Sequence, residues 1–379
     1  MSDEAQNKPT LIGLLKQLAA NSAVRETGKA FLVALITAAF TYFGCRPLPQ
    51  VIRESDEPDI RHVGAQGWVR EPEEVARVVA ANKVKSFAAT PAGAVSEADL
   101  PAHVYLWEAH RKATGHDPEN KNQGGVGSCV SFGTNTAIER TMVAEIAAGG
   151  PFQFKRIAEE VTYGGSRVEI GKGRIRGDGS VGAWAAKFVQ QYGVVSREPH
   201  GKYDLTEYDE ARCRSWGRAG VPNDLEPIAR EHPVKEIAPV ANWSEAKHAL
   251  ASGYGIAVCS DQGFSMRRDS RGVAAPRGSW AHCMALDGYH VDADGREYGH
   301  IENSWGPTAH TGPTGWGNPP SSGFWAEAKV IDGMLRQGDS WAFSAVAGFP
   351  ARRIDWTVQA TPRRRGPLNR LELPFALAP

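Results

Sequence analysis

A chain of 379 residues, 41% hydrophobic and 23% charged, has the composition of an ordinary globular protein and length enough for one large core or two smaller ones. Its 43 Lys and Arg balance 43 Asp and Glu, so no net field draws it to nucleic acid or acidic substrates. Five cysteines at 45, 129, 213, 259 and 283, odd in number and widely spaced, fit neither a disulfide framework nor a paired-cysteine zinc site, and leave at least one thiol free.

Residues 1–29 form a polar to amphipathic segment in which Leu11, Ile12, Leu14, Leu15 and Leu18 can lie along a membrane surface or pack on a domain. Residues 30–45 follow as an apolar unit preceded by Arg25 and Lys29. Its charge-free run, AFLVALITAAFTYFG, is shorter than the about 20 residues of a usual membrane span. It suits a short membrane anchor, a signal-like segment or a buried helix. Cys45 is a candidate lipid-attachment site, although Tyr42 and Phe43 are not the small and aliphatic residues such sites carry. The anchor reading associates the protein with a membrane; a cytoplasmic or secreted chain is the alternative.

Residues 46–99 read as a linker around one short helix. RPLPQVIRESDEPDI is rich in Pro and charge, EPEEVARVVAANKV places Pro72 in a first turn with Val75, Val78 and Val79 on one side, and ATPAGAVSEADLP connects onward. The main domain is expected over residues 100–350, followed at 351–379 by a solvated tail containing TPRRRGP.

Within that domain the spacing predicts a helix from Cys129 to Ala148, stopped by Gly149, Gly150 and Pro151. VGAWAAKFVQQYG is a second helix closed by Gly193, and NWSEAKHALASG a third, opened by an Asn242/Glu245 capping box. Beyond Gly255 the texture changes to strand-like runs: GIAVCS, HCMALDGYHV, EYGHIENSW, FWAEAKV and SWAFSA. A helical half followed by a β-rich half is an α+β arrangement with a natural cleft between the two.

Chemistry concentrates on a few residues. A thiol is a good nucleophile only as thiolate, so Cys129 at the start of a helix gains from the positive end of the dipole, and a nearby imidazolium would stabilise the anion further. His282 in SWAHCMALDGYH is the candidate, and Asn303 in ENSWG is placed to hold its ring and tautomer. The Asp-Gly turn within residues 292–295 sets a hairpin in which Asn303 faces Met284, one step from His282 on the same sheet face, provided that no bulge intervenes. Gln123, just upstream of Cys129, can join the Cys129 backbone N–H in binding the oxyanion of an attacked carbonyl.

These stretches resemble the papain family of cysteine peptidases: NQGGVGSCVSF is similar to NQGxCGSCWAF, AHCMALDGY to DHAVxxVGY, and ENSWGPTAHTGPTGWG to KNSWGxxWG. The about 150 residues between Cys129 and His282 suit that arrangement. The resemblance runs from about Leu100, where LPAHVYLWEA is similar to the family's mature N-terminal strand, to Val346. It implies a two-lobed fold, an N-terminal helical lobe and a C-terminal β-barrel-like lobe, with the active site in the cleft. It also implies a peptidase that needs no metal or organic cofactor and takes polypeptide substrates. Gln123 would serve the oxyanion hole, Cys129 would be the nucleophile, His282 the acid/base and Asn303 the orienting amide, with Trp305 shielding the His–Asn bond. Gly177, Asp178, Gly179 and Ser180, in GDGSVGAW, would contact substrate backbone, and Cys283 would line the neighbouring specificity pocket.

Departures are equally specific. Val126 stands where the family has a cysteine, Val130 where it has Trp, and Ala281 where Asp or Asn often precedes the histidine; residues 307–313, PTAHTGP, are added after NSWG. No inhibitory propeptide signature is recognisable between residues 46 and 100, leaving a shorter plug as the form such control could take. Two further readings stay open: a membrane-anchored thiol amidase or transpeptidase acting on cell wall, and a catalytically silent protein of this fold. His290, His300 and His310 lack metal-like spacing and read as strand or loop residues, and Cys213 and Cys259 as core thiols.

Overall fold

The computed structural model describes residues 64–354 apart from Phe152, Pro233 and Arg353. The expected anchor at residues 30–45, Cys45 and the TPRRRGP motif lie outside the described residues. Among the described residues no helix is long and apolar enough to cross a membrane.

Helix α1 (Pro72–Ala81) is followed by strand β1 (His103–Tyr105) and α2 (Leu106–Thr114). Helices α3 (Cys129–Ala147), α4 (Glu159–Gly165, extended by a π turn at Ser166–Ile170) and α5 (Gly182–Tyr192) come next. A small hairpin of β2 (Pro199–His200) and β3 (Tyr203–Asp204) leads to α6 (Glu210–Ala219) and α7 (Glu226–Arg230). The remainder is β4 (Glu236–Pro239), α8 (Trp243–Ala251), β5 (Ile256–Arg268), β6 (Ala274–Val291), β7 (Glu297–Glu302), β8 (Phe324–Glu327), α9 (Ala328–Leu335) and β9 (Asp339–Ser344). The result is a mixed helix and sheet fold. Its seven-stranded antiparallel sheet has the order β4-β9-β5-β6-β7-β8, with β1 added to β6.

The helix signals act as chain physics requires. At the head of α8 the Asn242 side chain accepts from the Glu245 N–H at 3.0 Å, while Glu245 reaches back to the Ala241 N–H at 3.1 Å, one residue earlier than the simplest capping box. Gly193 closes α5 at φ +90, and a Cβ there would fall 1.9 Å from the Ala229 carbonyl, so only glycine allows that approach. Helix α3 is buried on nearly every side and separates two apolar clusters. Val143 and Ala144 join a cluster formed with α8, α9 and the sheet, whereas Val130, Ala137 and Ile138 join one formed largely by the helices between α3 and α7.

Two expectations need correcting. The stretch from residue 64 to 99 is no free linker: Trp68, Val78, Phe87 and Ala92 are buried in the two clusters, because its apolar side chains find core surface to cover. The β6–β7 hairpin also differs from the simple turn. Three residues, 293–295, lie between the paired Asp292 and Arg296, with Gly295 at φ +75, so pairing starts one residue out of the expected register, at Val291 opposite Glu297. A bulge between Leu286 and Gly288 then absorbs one residue of β6. The two offsets cancel, Ala285 faces Glu302, and Asn303 still arrives beside the end of the strand that carries His282.

Candidate active site

The loop before α3 and the loop after β7 are stitched together by backbone. Gln123 N–H donates to the Ser304 carbonyl at 2.8 Å and Gly306 N–H to the Lys121 carbonyl at 2.9 Å, with Asn122 and Trp305 bridged between them. Lys121 is itself pinned inside the protein by Glu139 and Glu159, each 2.8 Å from its ammonium. This ladder sets the loop that carries Gln123 and leads into Cys129 against the one that carries Asn303, and Asn303 in turn bonds His282, so three stretches of chain meet.

Cys129 is the first residue of α3 and fully buried, with Ser128 as its N-cap residue. His282 lies on β6, also fully buried, and its Nε2 donates to Asn303 Oδ1 at 2.9 Å. Trp305 covers this bond, its ring centroid 4.5 Å from that of His282. His282 Nδ1 has no hydrogen-bond partner, although the adjacent residue, Cys283, directs its backbone N–H at the Cys129 sulfur. Burial, reinforced by Cys283, pushes the Cys129 thiol up, against the N–H groups of Cys283, Gly67 and Val130. Burial also pulls His282 down to about 4, with Asn303 opposing. Both shifts run against the thiolate–imidazolium couple expected from the sequence. Burial away from water favours the neutral thiol and the neutral imidazole while the site is covered.

What excludes water is the protein's own chain. Residues 64–69, GAQGWV, run across the site from Trp305 to the glycine-rich loop at residues 177–180. Trp305 Nε1 and Gln123 Nε2 both donate to the Ala65 carbonyl, at 3.0 and 2.9 Å. Gly67 and Trp68 N–H donate to the Ala281 carbonyl at 3.0 and 2.9 Å, and Ala281 N–H donates to Gln66 Oε1 at 2.9 Å. Ser180 N–H then donates to the Gly67 carbonyl at 2.8 Å, and Val69 N–H to the Ser180 carbonyl at 2.9 Å. The backbones are nearly in contact: a Cβ on Gly67 would lie 2.0 Å from the Gly127 carbonyl, and one on Gly64 2.3 Å from the Trp305 ring. Trp68 is buried, and its indole N–H donates at 2.9 Å to Asp339, a carboxylate that also accepts from Gly182 N–H and Trp341 Nε1 at 2.8 Å. Burial holds Asp339 at about 6 against those three donors.

The glycine-rich loop is held from behind by Arg167, which donates to the carbonyls of Gly177 at 2.6 Å and of Ile175 at 3.1 Å and also to that of Gly179. Gly177 and Asp178 are exposed, whereas Gly179 and Ser180 lie beneath residues 64–69. Asp178 accepts from Gly127 N–H at 3.1 Å and pairs with Arg214 at 3.0 Å. Cys283 turns its sulfur toward Cys259, 2.7 Å away, and toward Gly133 of α3, within the same apolar cluster as Trp68.

Three features escaped the sequence reading. Asp339, just ahead of SWAFSA, carries no signal in the sequence, and His310 lacks metal-like spacing. The GAQGWV segment carries one usable signal, two glycines ahead of a tryptophan, which is how a backbone that must lie flat against another would be written.

No family model matches the chain, and no curated protein does. Among solved structures the chain is similar to xylellain, a cysteine protease from Xylella fastidiosa, at 18% identity over 79% of this chain and 95% of that one, with a TM-score of 0.44. It is similar to proCathepsin B S9 from Trypanosoma congolense at 12% identity over 82% and 96%, with a TM-score of 0.46. The bromelain protease from Ananas comosus, in complex with the E64 inhibitor, matches at 18% identity over 65% and 99%, with a TM-score of 0.38.

Proposed function

We propose that this chain is a papain-like thiol peptidase with its site between a helical and a β-rich lobe, held latent by residues 64–69. The observation that carries the reading is the 2.9 Å His282–Asn303 bond beneath Trp305, one residue from the N–H that Cys283 turns to the Cys129 sulfur. A buried cysteine needs none of these neighbours for packing.

With the covering segment displaced, water and the α3 N-terminus favour the thiolate, and His282 Nδ1 takes the Cys129 proton. The sulfur attacks a peptide carbonyl, and the oxygen, now negative, accepts from Gln123 Nε2 and Cys129 N–H. His282 returns its proton to the departing amine as the C–N bond breaks, leaving a thioester. A water that gives its proton to His282 hydrolyses that thioester and restores the thiol. Gly177, Asp178, Gly179 and Ser180 offer substrate backbone the edge that residues 67–69 now occupy, and the pocket holding Trp68, beside Cys283, takes a substrate side chain.

Gly67→Ala in the full chain separates latency from chemistry, since its Cβ collides with backbone and touches no reacting group. Expected are faster amide exchange at Gly67 and Trp68, turnover of a fluorogenic peptide library, and epoxide labelling of Cys129, both activities vanishing in Cys129→Ala. Released exchange with neither turnover nor labelling would sink the peptidase reading. The occupied groove favours one rival, a silent protein of this fold. That rival predicts the same biological activity in wild type and Cys129→Ala.

A further inference from the structure

Resting on that reading of Cys129, His282 and Asn303, we propose that His310, in the added segment after NSWG, is a fourth member of the relay: a neutral imidazole that accepts from the Asn303 amide and so keeps His282 in its working tautomer. One group in the site has a polarity fixed by its chemistry. Ser304 N–H is a backbone donor, and it points at Asn303 Oδ1 at 2.7 Å. That fixes which end of the carboxamide is oxygen. The same oxygen therefore accepts from His282 Nε2, which must carry a proton, leaving Nδ1 as the basic nitrogen on the unbonded side.

The other end of the amide is then a donor. Asn303 Nδ2 lies 3.2 Å from His310 Nε2, so that nitrogen must be an acceptor and the His310 proton must sit on Nδ1. His310 is 3% exposed, packed against Phe324 at a centroid distance of 4.6 Å and facing Trp280 at 6.5 Å. Burial holds it down to about 3, with Arg268 of β5, His282 of β6 and His300 of β7 opposing a charge and only the Ser265 backbone favouring one. Burial thus favours the neutral ring. Were it protonated, two donors would face each other, and the carboxamide would be pressed to turn against the hold of Ser304 N–H; turned, Asn303 would offer N–H to His282 Nε2. The proton of His282 would then move to Nδ1, where it blocks acceptance from the thiol.

The added segment is built to deliver this ring. Arg268, 5% exposed, donates to the carbonyls of His310, Gly312, Ser321 and Gly323 at 3.2, 2.8, 3.0 and 2.7 Å. Backbone bonds of 2.9 Å between Arg268 N–H and the Thr311 carbonyl, and between Thr311 N–H and the Met266 carbonyl, sew the loop to β5. Among the described residues no carboxylate pairs with Arg268; its Nε is unpartnered, and its two terminal amino groups tie the added segment, at His310 and Gly312, to the turn at Ser321 and Gly323.

The test uses the full chain labelled with 15N-histidine, in wild type, His310→Leu and His310→Gln. Ring-nitrogen shifts of the wild type between pH 5 and 8 should show His282 protonated on Nε2 and His310 on Nδ1. His310→Leu, which removes the acceptor, should leave His282 a mixture of tautomers; His310→Gln, whose carbonyl can accept, should restore the single form. In the Gly67→Ala background, His310→Leu should lower kcat about tenfold or more with KM little changed, and His310→Gln should recover most of it. His310 found protonated on Nε2, or an unaltered His282 tautomer in His310→Leu, overturns the proposal whether or not the leucine variant is active. Absence of Cys129-dependent turnover in Gly67→Ala itself would instead defeat the peptidase reading, leaving the tautomer result to stand alone.

Discussion

Gln123 shows how little freedom the site leaves a side chain. Its Nε2 donates to the Val126 and Ala65 carbonyls at 2.8 and 2.9 Å, and its Oε1 accepts from Ser304 Oγ at 2.6 Å. On the proposed mechanism, the donor now spent on Ala65 becomes available when the covering segment leaves, so the carboxamide meets a reacting carbonyl already aimed. Gln123→Ala in the Gly67→Ala background should lower kcat about 10²- to 10³-fold while Cys129 still labels with small thiol reagents. A parallel loss of labelling would show that the change had disturbed α3 instead. At this scale the sequence was most readable in the neighbours it pairs, since His282 does meet Asn303 and Gln123 does meet the loop after Asn303. Asp339 and His310 were opaque because each matters only through a partner brought close by folding, Trp68 in one case and Asn303 in the other.

Among elements, α3 and the loop before it depend on buried charge. Lys121 neutralises Glu139 and Glu159 together, and Arg197 pairs with Glu159 and, at 3.0 Å, with Glu160, all essentially out of solvent. Lys121→Met fills similar volume but leaves carboxylates facing one another. It should cost about 3–5 kcal/mol in urea unfolding, and the double change with Glu139→Gln should recover part of that. Loss below about 1 kcal/mol would mean that the carboxylates can take up protons or rearrange without penalty. The helices themselves were legible from glycine stops and apolar spacing. The β6–β7 register was reached through two compensating departures, a longer turn and a bulge. The bulge follows from Asp287, which must face inward to meet Arg140 at 3.0 Å and His300 at 2.6 Å, contacts that no strand periodicity announces.

The molecule as a whole carries opposed pH limits. Burial holds His110, His282 and His310 at about 3, 4 and 3, so unfolded chains bind these protons first and stability falls as pH drops below about 6.5. Glu302 behaves in the opposite sense. Burial, aided by Asp287 and opposed by Arg140, raises its carboxyl to about 8 from the ordinary 4.5, so the folded state holds a proton that the unfolded state releases. Stability from this group is lost as pH climbs from about 4.5 through 8. Glu302→Gln, which keeps the neutral form, should melt near the wild type at pH 5 and progressively above it by pH 8.5. Superimposable melting curves at both values would mean that Glu302 is ionised in the native protein.

Residues 64–69 and α1 are one continuous chain, with no more than Arg70 and Glu71 between the covering strand and the helix that anchors it. Occupancy of the groove is therefore supported by tethering: a short linker to α1 keeps the segment at an effective concentration of about millimolar. One cut between Trp68 and Pro72 would remove that support while asking no other part of the fold to move.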